Sequence, residues 1–377
     1  MEKLRWVTYS DRPYSIDLAR MKKPVVNGSL AVAGCLLAGV LGLAQVAAER
    51  PFKIVTLDPA LREIIAPDAS LETLGDHFGL TEGPVWVQHG DDGYLLFSDN
   101  AGNEIYKWSP YAPLSVFLQK SGYTGNDRDH VGAQTVTGGG VAIILIGSNG
   151  LTLDSQGRLI ITAMTDRTVV RLESDGTRTP LADRYDGKRF NGPNDIVAKS
   201  DGAIYFTDTI WGVRNTDKGD RGLPYSGFFL IKDGKVTLLG GDKDNPGNAP
   251  NGIALSPDEK HLYVTAGTSK TMRYDVLPDD TVANPVKFLD GGNDGIKVDL
   301  KGNVYSIVRN EVWITSPEGK RLGTLELPVV ASEPRPRIVG TNLAFGDADS
   351  KTLYITACTH LYRVRLKVAG VRPGPQR

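Results

Sequence analysis

Six short stretches of this chain each open on a residue with a side-chain oxygen and then run into an apolar segment. The openers are Glu82, Asn149, Asn194, Asn251, Asp294 and Asn342. A lone Asn-Gly or Asp-Gly is normally a turn. Six such openers at equivalent positions, in stretches whose other turn residues vary, need another account. Brought to one place, two carboxylates and four amides would repel one another or stay unsatisfied unless something sat between them. A hard cation answers both problems. Oxygen donors without a converging Cys or His favour Ca²⁺ over Zn²⁺, and Mg²⁺ or Mn²⁺ fit where waters complete an octahedron. A ring of solvated residues with no metal is the plain alternative.

The elements that must position these residues are strands. Each opener is followed by an apolar strand, a turn and a second apolar strand. The stretches are EGPVWVQHGDDGYLLFSD, NGLTLDSQGRLIITA, NDIVAKSDGAIYFTD, NGIALSPDEKHLYVTA, DGIKVDLKGNVYSIV and NLAFGDADSKTLYITA, with openers spaced 67, 45, 57, 43 and 48 residues apart. A third strand follows, as in RTVVRLE or HLYRVRL, and several repeats add a fourth, as in KVTLLGG. Four short antiparallel strands recurring at this period describe a β-propeller blade, so six repeats predict an all-β, six-bladed β-propeller with four-stranded antiparallel blades. A pair of β-sandwiches is the main alternative, and a parallel β-helix would repeat at a much shorter period. Asp92-Gly93, Gln156-Gly157 and Asp201-Gly202 sit between strands, where tight hairpins need positive φ. The 43 Gly and 22 Pro, about 17% of 377 residues against roughly 12% on average, suit so many turns. The longer intervals mark insertions from Gln119 to Ser148 and from Ile210 to Tyr225, expected over the mouth of the central channel. In a propeller the innermost strand of each blade lines the channel, so the openers are expected to face its axis. Gly83, Gly150, Gly252 and Gly295, beside four of the openers, are expected to bend the backbone so that those oxygens can do so.

Several of these runs resemble the SMP-30/gluconolactonase/regucalcin family of six-bladed propellers. They are Glu82-Gly83-Pro84-Val85-Trp86, Ser148-Asn149-Gly150-Leu151-Thr152-Leu153-Asp154, Pro193-Asn194-Asp195, Pro250-Asn251-Gly252 and Asp294-Gly295. The run DGTRTPLADRYDGKRFNGPNDIVAKSDGAIYFTD is similar to bacterial gluconolactonases, and the resemblance spans about residues 75 to 368. It implies one divalent cation at the channel mouth, bound by Glu82, Asn194, Asn251 and Asp294, with Ca²⁺ expected and Zn²⁺, Mg²⁺ or Mn²⁺ as alternatives. It also implies a small-molecule substrate, a sugar lactone whose carbonyl the cation polarises, with Asp294 handling the proton transfer.

The chemistry of the residues agrees. Lactone hydrolysis needs a polarised carbonyl, an attacking water and a stabilised oxyanion, and a cation beside a carboxylate supplies these. Asp294 is the better candidate for the general base, with Glu82 held as a charge-balancing ligand. Asn149 is expected to orient water or substrate, and Asn342 to support the ligands from behind. Tyr123 and Trp211 are further substrate-binding candidates, with Arg128 and Tyr225 beside them; Trp211 suits stacking on a sugar or packing in a lid. Of the five histidines (His77, His89, His130, His261, His360), His130 in the first insertion is the candidate for reaching substrate. No G-x-S-x-G elbow offers a serine nucleophile. Two departures from the resemblance matter. Met164 stands where many relatives carry a His, and Thr207-Asp208-Thr209-Ile210-Trp211 stands where many have Thr-Asp-Pro followed by an aromatic residue.

A formal net charge of −1 gives no basic footprint for nucleic acid. Residues 29–48 form the one long uncharged apolar stretch and follow Met21-Lys22-Lys23. A basic start, an apolar run and small residues at Val46-Ala47-Ala48 predict a signal peptide cleaved after about Ala48, with the true start at Met21. An uncleaved anchor is the alternative. Val32-Ala33-Gly34-Cys35 also resembles a lipoprotein box, but apolar residues continue well past Cys35. The expected organisation is an extension and signal peptide over 1–48, a lead-in over 49–74, the propeller over 75–368 and a tail over 369–377. The expected place is the periplasm or the exterior, with no membrane contact after cleavage. The mature chain would keep one cysteine, Cys358, and so no internal disulfide. Nothing in the sequence specifies an oligomeric state. Three readings remain: a metal-dependent sugar lactonase, a hydrolase of other esters, and a metal-bound propeller that binds a ligand or partner without turnover.

Overall fold

The structure, a computed structural model, describes residues 50–126, 131, 135–138, 141–213, 221–243, 249–266, 270–329 and 339–374. It is a six-bladed β-propeller. Blades 1 to 6 span residues 81–119, 148–182, 193–241, 250–289, 296–326 and 342–365. Within each of these spans the strands run antiparallel in chain order from the channel outward. The innermost strands, Thr81–His89, Ser148–Leu153, Pro193–Ala198, Pro250–Leu255, Ile296–Val298 and Asn342–Gly346, neighbour one another in sequence and the last returns to the first.

Period-2 alternation explains why the blades stack. In blade 3, Phe206 and Phe229 face blade 2 and pack with Ile160 and Val169, while Tyr205 and Phe228 face blade 4 and pack with Ile253 and Leu262. Such a layer fills each of the other clefts as well. The core is therefore distributed between blades, and the axis is left to polar residues.

The stretch expected as a lead-in is built into the ring. Leu71–Gly75 pairs with His360–Arg365 as the outermost strand of blade 6, and Lys53–Thr56 adds a fifth strand to blade 5 against Arg321–Glu326. Blade 6 is thus completed by chain that precedes blade 1, which ties the two ends of the propeller together. The tail follows suit, with Gly370 and Val371 amides donating to Ser350 and Val298 carbonyls.

Both insertions leave and rejoin the ring at the opener end. The first runs from the outermost strand Ala112–Gln119 to the innermost strand Ser148–Leu153 and contains the hairpin Thr135–Gly138 with Val141–Ile144. The second joins Ile204–Asp208 to Gly227–Lys232. The turn glycines divide: Gly157 and Gly202 adopt positive φ as expected, whereas Gly93 does not, and a Cβ there would run into the Trp86 ring at 2.4 Å.

Candidate functional site at the channel mouth

Four openers, Glu82, Asn149, Asn194 and Asn251, are the second residues of their inner strands. Asp294 lies two positions before Ile296–Val298, and Asn342 begins its strand. The register between first and second strands shifts at this level in blades 1 to 4, between Glu82 and Val85, opposite Ile161 and Ala163, between Pro193 and Ile196, and between Pro250 and Ile253. Such irregularities re-aim side chains that regular pleating would send into the blade stack.

The opener backbones are then tied across the clefts. Ser98, Thr162, Thr207 and Thr265 each donate a hydroxyl to the opener carbonyl of the following blade: Asn149 (2.9 Å), Asn194 (2.6 Å), Asn251 (2.6 Å) and Asp294 (2.7 Å). The glycines after the openers serve this approach. A Cβ on Gly150 would lie 2.7 Å from the Asn194 carbonyl oxygen, on Gly252 2.4 Å from that of Asp294, and on Gly295 2.3 Å from Asn342 Oδ1. Gly83, at φ 46°, does take a bent backbone, and a Cβ there would come within 2.0 Å of the Asn149 carbonyl oxygen. Close packing of neighbouring blades, more than bending, is what these positions require.

The arrangement gathers more charge than the openers alone suggested. Glu82 is 6% exposed, and burial, followed by the nearby Asp195 charge, pushes its carboxyl up to about 8; the Gly83 amide, Asn342 and Lys297 pull the other way. Burial, then the Glu82 and Asp195 charges, hold the Asp294 carboxyl well above the usual carboxylate range, opposed by hydrogen bonds from Asn251 and the Gly295 amide. Asp195 sits where four of the other five blades carry glycine. Its Oδ1 accepts from the Ile196 amide (2.9 Å) and its Oδ2 from the Ile253 amide (3.1 Å), bridging blades 3 and 4. Asn251 also donates to the Asn293 carbonyl at 2.9 Å. Asn149 is buried and its Oδ1 has no partner. Among the described residues no three His, Cys, Asp or Glu side chains form a ready-made metal cage, so the donor set is one of mixed carboxylates and amides.

Asp195 and Lys297 are the residues sequence reasoning missed. Asp195 stood beside an opener and Lys297 inside a strand, and the signal for Asp195 was the break in the opener-glycine pattern.

The outer candidates are placed differently. Tyr123 is pinned through its backbone to Asn103, at 2.9 and 3.0 Å, between the outer loops of blades 1 and 2. Trp211 lies in the short 3₁₀ turn Ile210–Gly212, part-buried in an apolar cluster with Leu80, Ala101, Leu145 and Met164. Met164 is wholly buried in that cluster. Tyr225 is half-buried beside the blade 2–3 layer. His130 and Arg128 lie outside the described residues, as do residues 1–48, the stretch expected to form a leader. A cavity of about 410 Å³ opens at the far end of the strands, between blades 1 and 6, away from the mouth. Its Arg363 and Arg365 are engaged by Glu72 and Asp349.

Residues 80–359 match the family described as SMP-30/Gluconolactonase/LRE-like region. A gluconolactonase of Zymomonas mobilis is 31% identical over 335 residues, covering 84% of this chain and 87% of the relative. The fold superposes on a gluconolactonase from Xanthomonas campestris with a TM-score of 0.68 and 26% identity, over 85% of this chain and 97% of the other. It also superposes on a calcium-binding protein, regucalcin, from Agrobacterium tumefaciens with a TM-score of 0.59 and 16% identity, over 81% and 98% of the two chains, a likeness of fold alone.

Proposed function

The chain belongs to the SMP-30/gluconolactonase/LRE-like family, and on that premise we propose that it is a hydrolase that opens a sugar lactone, with a divalent cation at the channel mouth and Asp294 as general base. The observation that carries this reading is the crowding of Glu82 and Asp294, each made harder to ionise by burial and by neighbouring charge. Such crowding is unfavourable in an empty site and favourable around a cation. The donors fit a hard ion, being carboxylate and amide oxygens, and the unpartnered Asn149 Oδ1 close by is left for water or substrate. Glu82, Asn194, Asn251 and Asp294 would hold it. Ca²⁺ suits this set best, with Mg²⁺, Mn²⁺ or Zn²⁺ as alternatives.

A bound cation supplies polarisation of the lactone carbonyl. Asp294 takes a proton from the attacking water as the new C–O bond forms, and returns it to the ring oxygen as the acyl C–O bond breaks, giving a hydroxy acid. Asn251, hydrogen-bonded to Asp294, keeps that carboxylate in place. Asn149 Oδ1 is free to accept from water or from a substrate hydroxyl. Tyr123 and Trp211, together with His130 from the sequence of the first insertion, are the proposed substrate contacts. Acid release from a panel of lactones, followed with and without chelator, tests this. Turnover that chelator abolishes and Ca²⁺ restores is expected, and absence of chelator-sensitive turnover on every lactone overturns it.

Met164 favours a second reading, a metal-bound propeller that holds a ligand without turnover, because the position offers packing in place of a proton shuttle. Cation-dependent lactone binding without acid release would select it. The apolar stretch 29–48 supports export to the periplasm or exterior.

A further inference from the structure

Lys297 brings a positive charge to the mouth. It lies in the inner strand Ile296–Val298 of blade 5, with its side chain 21% exposed. Its Nζ donates to the Ile296 carbonyl at 2.9 Å and to Asn342 Oδ1 at 3.3 Å, and stands 3.8 Å from Asp195 Oδ2. Asn342 Oδ1 also accepts from the Leu343 amide at 2.9 Å. With two donors on that oxygen, the amide nitrogen of Asn342 must face the other way. Asn342 also hydrogen-bonds the Glu82 carboxyl, and with Oδ1 already accepting from two donors, Nδ2 is the group left to donate to it. Lys297 therefore acts on Glu82 twice, through its charge and through the orientation of Asn342.

We propose that Lys297 is a resident counter-cation and positioning residue, which sets the charge of the mouth to match one divalent ion and turns the Asn342 amide toward Glu82. This rests on the cation-binding reading above. When Glu82, Asp195 and Asp294 are ionised, one ammonium against three carboxylates leaves two negative charges. Without Lys297 the mouth carries three, which suits a trivalent ion. Loss of Lys297 thus shifts the preference of the mouth toward higher cation charge, whereas a residue that only packed the strand would weaken all ions alike.

The test titrates chelator-stripped full-length protein with Ca²⁺ and with Tb³⁺ by calorimetry at pH 8, for wild type, Lys297→Met and Lys297→Arg. Lys297→Met is expected to move the Tb³⁺ over Ca²⁺ affinity ratio about tenfold or more in favour of Tb³⁺. Lys297→Arg, which keeps the charge, is expected to hold the wild-type ratio. Should Lys297→Met fail to fold, Lys297→Gln removes the charge while keeping a donor for Asn342, and the same shift is expected. An unchanged ratio, or equal weakening of both ions, overturns the inference while leaving the cation reading in place. Binding by the variant but not by wild type supports Lys297 as the counter-charge and overturns the cation reading of the native protein. Binding by neither overturns both.

Discussion

Two sets of buried acids in this propeller are alike in residue type and unlike in company. Asp99 and Asp208 end the second strands of blades 1 and 3. Asp99 accepts from the Gly79 (3.0 Å), Leu80 (2.9 Å) and Gly102 (3.1 Å) amides, and Asp208 from those of Asn191 and Gly192, the latter at 2.7 Å. Each is met by backbone donors, with the Arg167 charge also near Asp208, and stitches a loop to a blade. The acids of the mouth also have donors, but they have one another as well: Glu82 draws one backbone amide, that of Gly83 at 3.2 Å, and faces Asp195, while Asp294 faces both. Burial is common to both sets, and what separates them is whether backbone donors or like charges supply the surroundings. A carboxylate surrounded by amides is finished, whereas carboxylates surrounded by carboxylates call for a ligand.

The sharpest way to break this contrast is Asp294→Asn. Its lactone kcat/KM should fall roughly 10²–10⁴-fold, measured by acid release, because the proposed base is gone. Its thermal midpoint without metal should hold or rise, since a like-charge contact has been relieved. A fall in midpoint comparable to that of a core substitution would place Asp294 with the stitching acids instead.

The next effect is on pH. Below the usual carboxylate range, folded and unfolded chains are both protonated at Glu82. Above it, the unfolded chain ionises while the buried carboxyl holds its proton up to about 8, so unfolding releases a proton and native stability falls across that window. Chelated protein should lose a few kcal/mol of denaturation free energy between about pH 5 and pH 8.5. Asp208, which burial pushes up to about 7, and Asp294 contribute with the same sign, so the difference between wild type and Glu82→Gln reports Glu82 together with its charge on Asp294. Glu82→Gln should be flatter over the window, and added Ca²⁺ should flatten wild type too. Stability that climbs over this range, or an equal slope in the variant, contradicts the crowded mouth.

The smallest expected effect belongs to the other set. Asp208→Ala strands the Asn191 and Gly192 amides and should cost about 2–3 kcal/mol in denaturant unfolding, with kcat/KM within a few-fold of wild type. A loss of activity as deep as that of Asp294→Asn, at unchanged stability, erases the distinction.

Much of this was legible in the chain. The blade count followed from a period and from alternation, both local properties that survive in the sequence because each blade repeats the same burial problem. The openers followed from residue type at fixed positions. The tying hydroxyls were visible as the Ser or Thr of FSD, ITA, FTD and VTA, although their partners were not. The purpose of the opener glycines was legible only in part, since a glycine looks the same whether it bends a chain or lets another pass close by.

The sequence by itself determined the architecture and the oxygen-rich openers. The tertiary structure decided what meets at the axis. It placed Asp195 and Lys297 beside Glu82 and Asp294, although the four come from three different blades. It completed the ring with Leu71–Gly75, chain that had looked like a lead-in. It also buried Met164 in an apolar cluster with Trp211. The physical reason is that strand periodicity is written in neighbours a few residues apart. Electrostatic company is set by ring closure, which brings together residues separated by as many as 215 positions, as between Glu82 and Lys297.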